Sequence, residues 1–508
     1  MVRPRRPLGD YCQLLLKNGL LADHTPLRAD LTREVPLVSC DSQVVVPGTL
    51  FICKGAAFKE DYLLDALRKG AVAYVSERVY PAAPGPCILV SDVRAAMGLL
   101  ADCAWGHPSG ALDVVGITGT KGKTTTAFYL TAILDRWRES RGERPAALLS
   151  TLVTDDGVER APAKLTTPEP LDLQRHLFNA ASAGCGQVVM EVSSQALKYH
   201  RMDRVELAAA VFLNIGEDHI SPREHPDFED YFSSKLKIFS QAAAAVVDLD
   251  CDHVSRVLAA AAVCPRLVTF SRKDPGADVY GYDLVQGKNG SAFTARTPGW
   301  TGRLSLPMAG DFNVENALAA IAAAWLLGVP QTAVAEGLRA VRVPGRMDAY
   351  HSQGEDLTVI VDYAHNGMSL EALLSTVRKS YPGRALTVVF GCTGGKGLDR
   401  REGMAAAAAR HASRIILTED DPGSEDVEAI CAQVGRYIAE NGGAYTVIPD
   451  REEAVERAVL EAAAPAVVVL AGKGAETVQK RKSGPEPCVP DGLLAARALE
   501  RRAAGERP

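Results

Sequence analysis

Residues 114–126, VVGITGTKGKTTT, hold the residue types that a phosphate cradle needs, in the order it needs them. Val114, Val115 and Ile117 predict a strand, and Gly116, Gly119 and Gly122 a loop that lets backbone N–H groups approach phosphate oxygens. Ala127, Leu130, Leu134 and Trp137 then recur at helical spacing. In such a loop Lys123 is the cation for the outer phosphates and Thr124 offers an oxygen to magnesium. Gly119, Thr120, Lys121, Gly122 and Thr125 complete the nucleotide set. The strict eight-residue pattern is not met, because its first glycine would fall on Ile117, so the loop points to a subclass. The plainer alternative is a glycine turn with a solvated lysine.

Other reactive groups follow apolar runs, where strands of an open α/β sheet expose their carboxyl ends. Glu191 follows Val188–Met190, and Asp218 and His219 follow the run from Ala208 to Ile215. Asp362 and His365 follow Leu357 to Val361. Hard carboxylate oxygens there suit magnesium, although a glutamate such as Glu191, read alone, is more often a salt-bridged strand end. Three later runs, VVF before GCTGGKGLDRR, IIL before TEDDPG and VVVL before AGKGAE, would deliver their loops to one edge if the strands are parallel.

These groups need a scaffold, and the alternation of short apolar runs with amphipathic stretches predicts an α/β fold. The 508 residues suggest three domains: a small N-terminal α/β domain over 1–108, a central P-loop parallel-sheet domain over 109–342 and a Rossmann-like C-terminal domain over 343–508. The boundaries rest on the Gly106–Gly110 punctuation and on Pro344–Gly345. With 47% hydrophobic residues, 23% charged residues and a net charge of -6, nucleic acid is not an expected partner. The first apolar stretch breaks at Lys17 and Asn18, too soon for a signal-peptide core or a membrane span, so a cytoplasmic chain is expected. Eleven cysteines without a C-x-x-C pair predict reduced, mostly buried thiols.

The segment TGTKGKTTT resembles the T-G-T-x-G-K-T-T loop of the Mur ligases and their folylpolyglutamate synthetase relatives. CDSQVVVPGTLFICKG resembles the uridine-nucleotide domain of the branch that adds the third peptide residue. EVSSQAL, DH with a following lysine, GDFNVEN, PGRMD, VDYAH and AGKGAE resemble later family motifs, so the likeness runs from Asp41 to Glu476. It implies an ATP-dependent ligase of peptidoglycan-precursor synthesis. Its partners would be a UDP-N-acetylmuramoyl dipeptide, ATP and an amino acid, and a monomer is expected.

The resemblance also implies roles. Thr124 and Glu191 would hold one magnesium ion, and His219 and Lys235, carbamylated by carbon dioxide to N6-carboxylysine, a second; Lys237 is the competing lysine. Asn313 and Asn316 would lie near adenine, although each reads equally as a helix N-cap. Arg346 would contact phosphate from a closing third domain, Asp362 the ribose and His365 the base. Ser42, Thr166, Thr167, Ser193 and Arg201 would contact the uridine–muramoyl substrate, with Gln43 and Gln195 departing from the family's arginine and histidine.

Arg401, Asp420 and Glu476 match the amino-acid motif positions, Arg401 for the α-carboxylate. Ligases that add meso-diaminopimelate carry D-N-P-R there, whereas this chain reads Asp420, Asp421, Pro422, Gly423. Losing the guanidinium should weaken diaminopimelate about ten- to a hundredfold, and the added acidity of Asp421 suits a side-chain ammonium, which points to L-lysine or a similar diamino acid. The plainer reading makes Asp420 and Asp421 a turn, with Asp421 extended before its proline. Rival functions are a folylpolyglutamate-synthetase-like amide ligase and a nucleotide-binding regulator without catalysis.

Overall fold

The structure is a computed structural model that describes residues 3–22, 29–55, 58–218, 220–221, 224–288, 290–354, 356–395 and 397–506. It divides into two compact units. The first comprises Met1–Tyr280, Arg296–Trp300 and Asn316–Gly337; the second comprises Gly281–Ala295, Thr301–Glu315 and Leu338–Pro508. The fold is mixed α/β, as the alternation of apolar runs predicts.

The first unit begins with a four-stranded parallel sheet in the order Val38–Ser39, Leu50–Ile52, Ala73–Ser76, Cys87–Leu89. Its core includes Leu8, Tyr11, Leu50, Ile52, Val75 and Leu100. Helix Val93–Trp105 starts where the Asp92 carboxylate accepts hydrogen bonds from Arg94 N (2.8 Å) and Ala95 N (3.0 Å).

A larger sheet in the same unit has six neighbouring parallel strands, ordered Ala147–Leu149, Gln187–Glu191, Asp113–Thr118, Ala209–Phe212, Ala244–Asp248, Arg266–Ser271. The antiparallel strands Val153–Asp155 and Arg160–Pro162 extend one side. Burial on both faces explains runs such as AAVVD, in which no residue is exposed. Chain order reverses about Asp113–Thr118: later strands lie on either side of it, so the loop that leaves it sits at the switch point where such sheets bind ligands.

In the second unit, strands Leu357–Asp362, Ala466–Ala471, Ala385–Phe390, Arg414–Leu417 and Tyr445–Val447 are parallel neighbours in that order, with Asp348–His351 antiparallel at the edge. The expected delivery of three loops to one edge is met. Asn366, Asp426 and Asp450 cap the helices Gly367–Ser380, Val427–Glu440 and Arg451–Leu460 with their side-chain oxygens. A short hairpin, Val478–Arg481 with Gly484–Pro487, follows the Ala466–Ala471 strand. The unit also holds most of the strands Val279–Gly287, Gly290–Arg296 and Thr301–Leu306.

All eleven cysteines are free, and seven are buried. No helix among the described residues is long and apolar enough to cross a membrane.

Candidate active site

Helix Lys123–Glu139 starts at Gly122 without a side-chain cap, unlike the carboxylate-capped helices above. The positive end of its dipole therefore lies at the glycine loop with no side chain capping it, a position that suits an anion. Gly122 has φ +87°, and a Cβ there would come within 2.2 Å of Asn316 Oδ1. Gly122→Ala should therefore raise the KM for ATP about tenfold while the chain stays folded, through left-handed strain and displacement of Asn316. Steady-state kinetics with a thermal melt checks this.

The loop lysines have separate partners. Lys123 Nζ folds back on the carbonyls of Gly119 (2.8 Å) and Thr120 (3.3 Å), and Lys121 Nζ pairs with Asp218 (2.9 Å). The Thr120 hydroxyl lies 3.0 Å from the Tyr231 hydroxyl. Thr124 and Thr125 are buried.

Glu191, buried at the end of its strand, accepts hydrogen bonds from Thr124 Oγ1 (2.9 Å) and Thr151 N (2.8 Å) on one oxygen and from Thr151 Oγ1 (3.2 Å) on the other. A hydroxyl and a carboxylate this close make a hard-oxygen donor pair that suits magnesium. Lys235 is 1% exposed, and its Nζ donates to Gly119 O at 3.0 Å, 4.7 Å from the Tyr231 ring centroid. Burial, reinforced by nearby Lys123, drives its pKa well below the ordinary lysine value. Lys237, the competing lysine, is exposed. His219 lies outside the described residues.

A continuous hydrogen-bond chain leads from Glu191 toward the first sheet. Thr151 Oγ1, which donates to Glu191, lies 3.2 Å from the Thr166 hydroxyl and can accept from it, and Thr167 Oγ1 donates to Glu191 O (2.9 Å) and accepts from Ser193 N (3.0 Å). Ser193 caps helix Ser194–Lys198. Arg201 donates to Thr167 O (3.3 Å) and pairs with Glu169 (2.9 Å), which also binds Lys54. Ser42 lies on a short 3-10 turn, Ser42–Val44, and its carbonyl accepts from Lys69 (2.8 Å). Sequence reasoning missed Lys54, Lys69, Thr151 and Glu169; Lys54 lay inside a quoted motif, while the others had no local signal.

Asn313 and Asn316 lie within helix Asp311–Leu326, so the N-cap alternative does not hold for either. Asn313 Nδ2 donates to Ala309 O (2.7 Å), and Asn316 Oδ1 accepts from Thr126 Oγ1 (3.4 Å).

The second unit gathers its own cluster. Asp362 accepts from Met347 N and Ala364 N, each at 2.8 Å, and burial raises its carboxyl pKa against the pull of Arg346. The Arg346 guanidinium lies over the Tyr363 ring at 4.3 Å, and His365 Nδ1 donates to Tyr363 O at 2.8 Å. Tyr363 OH donates to Glu476 Oε1 (3.0 Å), whose other oxygen takes Lys473 Nζ (2.7 Å). Tyr363 and Lys473 sit inside quoted motifs, but nothing in their spacing announced this link between the expected nucleotide and amino-acid groups.

Asp420 is 5% exposed, and burial pushes its carboxyl up to about 7 despite Arg451 and Lys473. Asp421 has φ +47°, so the expected extended geometry before Pro422 is not adopted. Its carboxylate accepts from Lys473 Nζ (2.9 Å), Lys480 N (3.0 Å) and Lys480 Nζ (2.9 Å), which hold the backbone in that conformation. Arg401 is 1% exposed and donates to both oxygens of Glu425 (3.0 and 2.8 Å), to Thr393 O (3.0 Å) and to Gln433, leaving only Nε without a partner. Gly423 carries no side chain into this loop.

The sequence matches the Mur ligase middle domain over residues 117–324 and the Mur ligase glutamate ligase domain over residues 345–474. It is 38% identical to the UDP-N-acetylmuramoyl-L-alanyl-D-glutamate--L-lysine ligase of Enterococcus faecalis, over 92% of each chain. It is 36% identical to the UDP-N-acetylmuramyl-tripeptide synthetase of Lactobacillus delbrueckii subsp. bulgaricus, over 96% of this chain and 98% of the relative. Among solved structures, a UDP-N-acetylmuramoyl-L-alanyl-D-glutamate--2,6-diaminopimelate ligase superposes with TM-score 0.68 at 27% identity, over 98% of this chain and 100% of the other.

Proposed function

The chain belongs to the Mur ligase family, whose members form an amide bond with ATP and magnesium, and from that premise we propose that it adds L-lysine to UDP-N-acetylmuramoyl-L-Ala-D-Glu. The observation that carries the choice of lysine is the loop Asp420–Gly423, which is acidic and has no guanidinium for a second substrate carboxylate. The L-lysine-ligase name of one relative supports the same reading, and the tripeptide-synthetase name of another supports a ligase that completes a tripeptide. We further propose the division 1–108, 109–342 and 343–508 for substrate, ATP and amino-acid domains, and a cytoplasmic monomer as the working form.

The chemistry must turn a carboxyl oxygen into a leaving group before an amine can displace it. In the proposed reaction the D-Glu carboxylate attacks the γ-phosphorus, the bond to ADP breaks, and an acyl phosphate forms; the uncharged amine nitrogen then attacks the acyl carbon, the acyl C–O bond to phosphate breaks, and the nitrogen gives up one proton to the departing phosphate or to solvent. The first step brings anions together. Lys123 would leave the Gly119 and Thr120 carbonyls to meet the outer phosphates, while the uncapped helix N-terminus holds them. Magnesium, when bound, neutralises phosphate charge, and Thr124 with Glu191 would hold one ion.

Lys235 as an amine offers that site no oxygen. Kept uncharged by burial, it can add carbon dioxide and become the carboxylate ligand of a second ion, with His219 as its partner. Ser42, Thr166, Thr167, Ser193 and Arg201 would grip the nucleotide-sugar, and Asn313, Asn316, Arg346, Asp362 and His365 the ATP. Asp420 and Glu476 would meet the side-chain ammonium, and Arg401 the α-carboxylate, which requires it to exchange part of its bond to Glu425.

Phosphate release with ATP, magnesium, UDP-N-acetylmuramoyl-L-Ala-D-Glu and one amino acid at a time tests the reading. Turnover with L-lysine at least tenfold above meso-diaminopimelate is expected. Preference for diaminopimelate would sink the lysine assignment, and silence with both would point to a folylpolyglutamate-synthetase-like acceptor or a regulator.

A further inference from the structure

Asp421 was expected to greet a substrate ammonium, yet two ammonium groups of the chain already hold it. Lys473 Nζ bridges Asp421 Oδ1 (2.9 Å) and Glu476 Oε2 (2.7 Å), which places these carboxylates around one cation. Lys480 Nζ sits on Asp421 Oδ2 at 2.9 Å; its side chain is 60% exposed while that of Asp421 is 8% exposed. Three carboxylates, Asp420, Asp421 and Glu476, thus share their surroundings with two lysines.

We propose that Lys480 is a specificity-determining residue: by neutralising Asp421 it sets the net charge that the acidic loop and Glu476 present to the amino acid. The inference rests on the lysine-adding reading above. Other ties join hairpin Val478–Arg481 with Gly484–Pro487 to the acidic loop without the Lys480 side chain: Lys480 N donates to Asp421 Oδ1 (3.0 Å), Gly423 N to Lys480 O (2.9 Å), and Arg481 Nη2 to Glu419 Oε1 (2.7 Å). Removing only the ammonium therefore changes charge and leaves the hairpin attached. It also separates this role from that of Lys473, which is buried and binds the carbonyl of Val478 (2.7 Å) as well.

Unit charges about 10 Å apart at an effective dielectric of about 20–40 interact by an amount that corresponds to several-fold in affinity. Lys480→Gln leaves the site more negative, so the KM for L-lysine should fall about fivefold. Asp421→Asn leaves Lys473 and Lys480 in excess, so the same KM should rise about fivefold. The double variant should return to within about twofold of wild type, and Lys480→Arg should match wild type.

A purely structural tie predicts something else: both single substitutions raise the KM, and the KM for ATP moves with it. The two lysine shifts should shrink in high salt, because the Lys480 partner is solvent-exposed. Steady-state kinetics, with L-lysine varied at saturating ATP and UDP-sugar and ATP varied at saturating L-lysine and UDP-sugar, together with melts of each variant, reads these outcomes. Wild-type turnover is measured first; if L-lysine is not a substrate, the functional reading falls and this inference with it. If L-lysine is a substrate but its KM moves in the same direction in both single variants, or not at all, only the inference is overturned.

Discussion

Lys235→Ala is expected to lose about a thousandfold in turnover, the order seen when a preorganised charge-stabilising group is removed. Added acetate should restore part of it by supplying the missing carboxylate, while Lys235→Arg should gain nothing. The reason lies in two residues that are indistinguishable by charge and nearly by position. The Lys235 side chain is buried, with its Nζ on Gly119 O of the phosphate loop and over the Tyr231 ring, whereas Lys237 is exposed. Only an uncharged amine adds carbon dioxide, and burial next to Lys123 favours that form. Wild-type protein in ¹³C-bicarbonate should show a carbamate carbon resonance that Lys235→Ala lacks. Full activity in Lys235→Ala, or an equal loss in Lys237→Ala, would remove the assignment.

Asp420→Asn should make the chain a poorer enzyme and a more stable protein. Deleting one partner of a charged hydrogen bond should lower kcat/KM for L-lysine about ten- to a hundredfold. Stability moves the other way, with a definite pH dependence. The folded-state carboxyl titrates near 7, against 3.8 as its ordinary value, so the folded chain binds the proton more tightly. The protonated form therefore favours folding at low pH, and that contribution is lost as pH rises from about 4 through 7.

Asparagine has no such proton to lose. The gain in stability over wild type should be absent at pH 4, grow through neutrality and level off above pH 7, with a ceiling of about 4 kcal/mol. Burial is the main cause; Arg451 and Lys473 act against it, and Asp421 and Glu476 add to it. Urea unfolding at pH 5 and pH 8 measures the difference. A gain at pH 5 equal to that at pH 8 would mean that the carboxyl does not titrate in this window.

The scaffold was largely legible because it repeats local rules. The strand predicted from Val114, Val115 and Ile117 is found over Asp113–Thr118, and Ala127, Leu130 and Leu134 are buried on the helix that follows. The buried side chain beside Trp137 was not foreseen: Arg138, rather than the tryptophan, is the buried residue there, because Gly184 O, Arg144 O and Gln187 Oε1 satisfy its guanidinium. Glu191 and Asp362 were found by one argument, since each ends a buried parallel strand, and the same argument placed the loop that holds Asp420, which the family resemblance then singled out.

Residue order by itself determined the chemistry on offer: a phosphate loop with Lys123 and Thr124, carboxylates at strand ends, and an acidic loop in which Gly423 replaces a guanidinium. It determined these because backbone conformation and strand burial depend on neighbours in sequence. Tertiary structure alone decided which charges are available. Lys235 rather than Lys237 is desolvated, Asp421 is held by Lys473 and Lys480, Arg401 by Glu425, and Tyr363 joins His365 to Glu476. Ion pairing and desolvation are set by groups that meet across tens of residues, and no local pattern encodes which charge will find a partner.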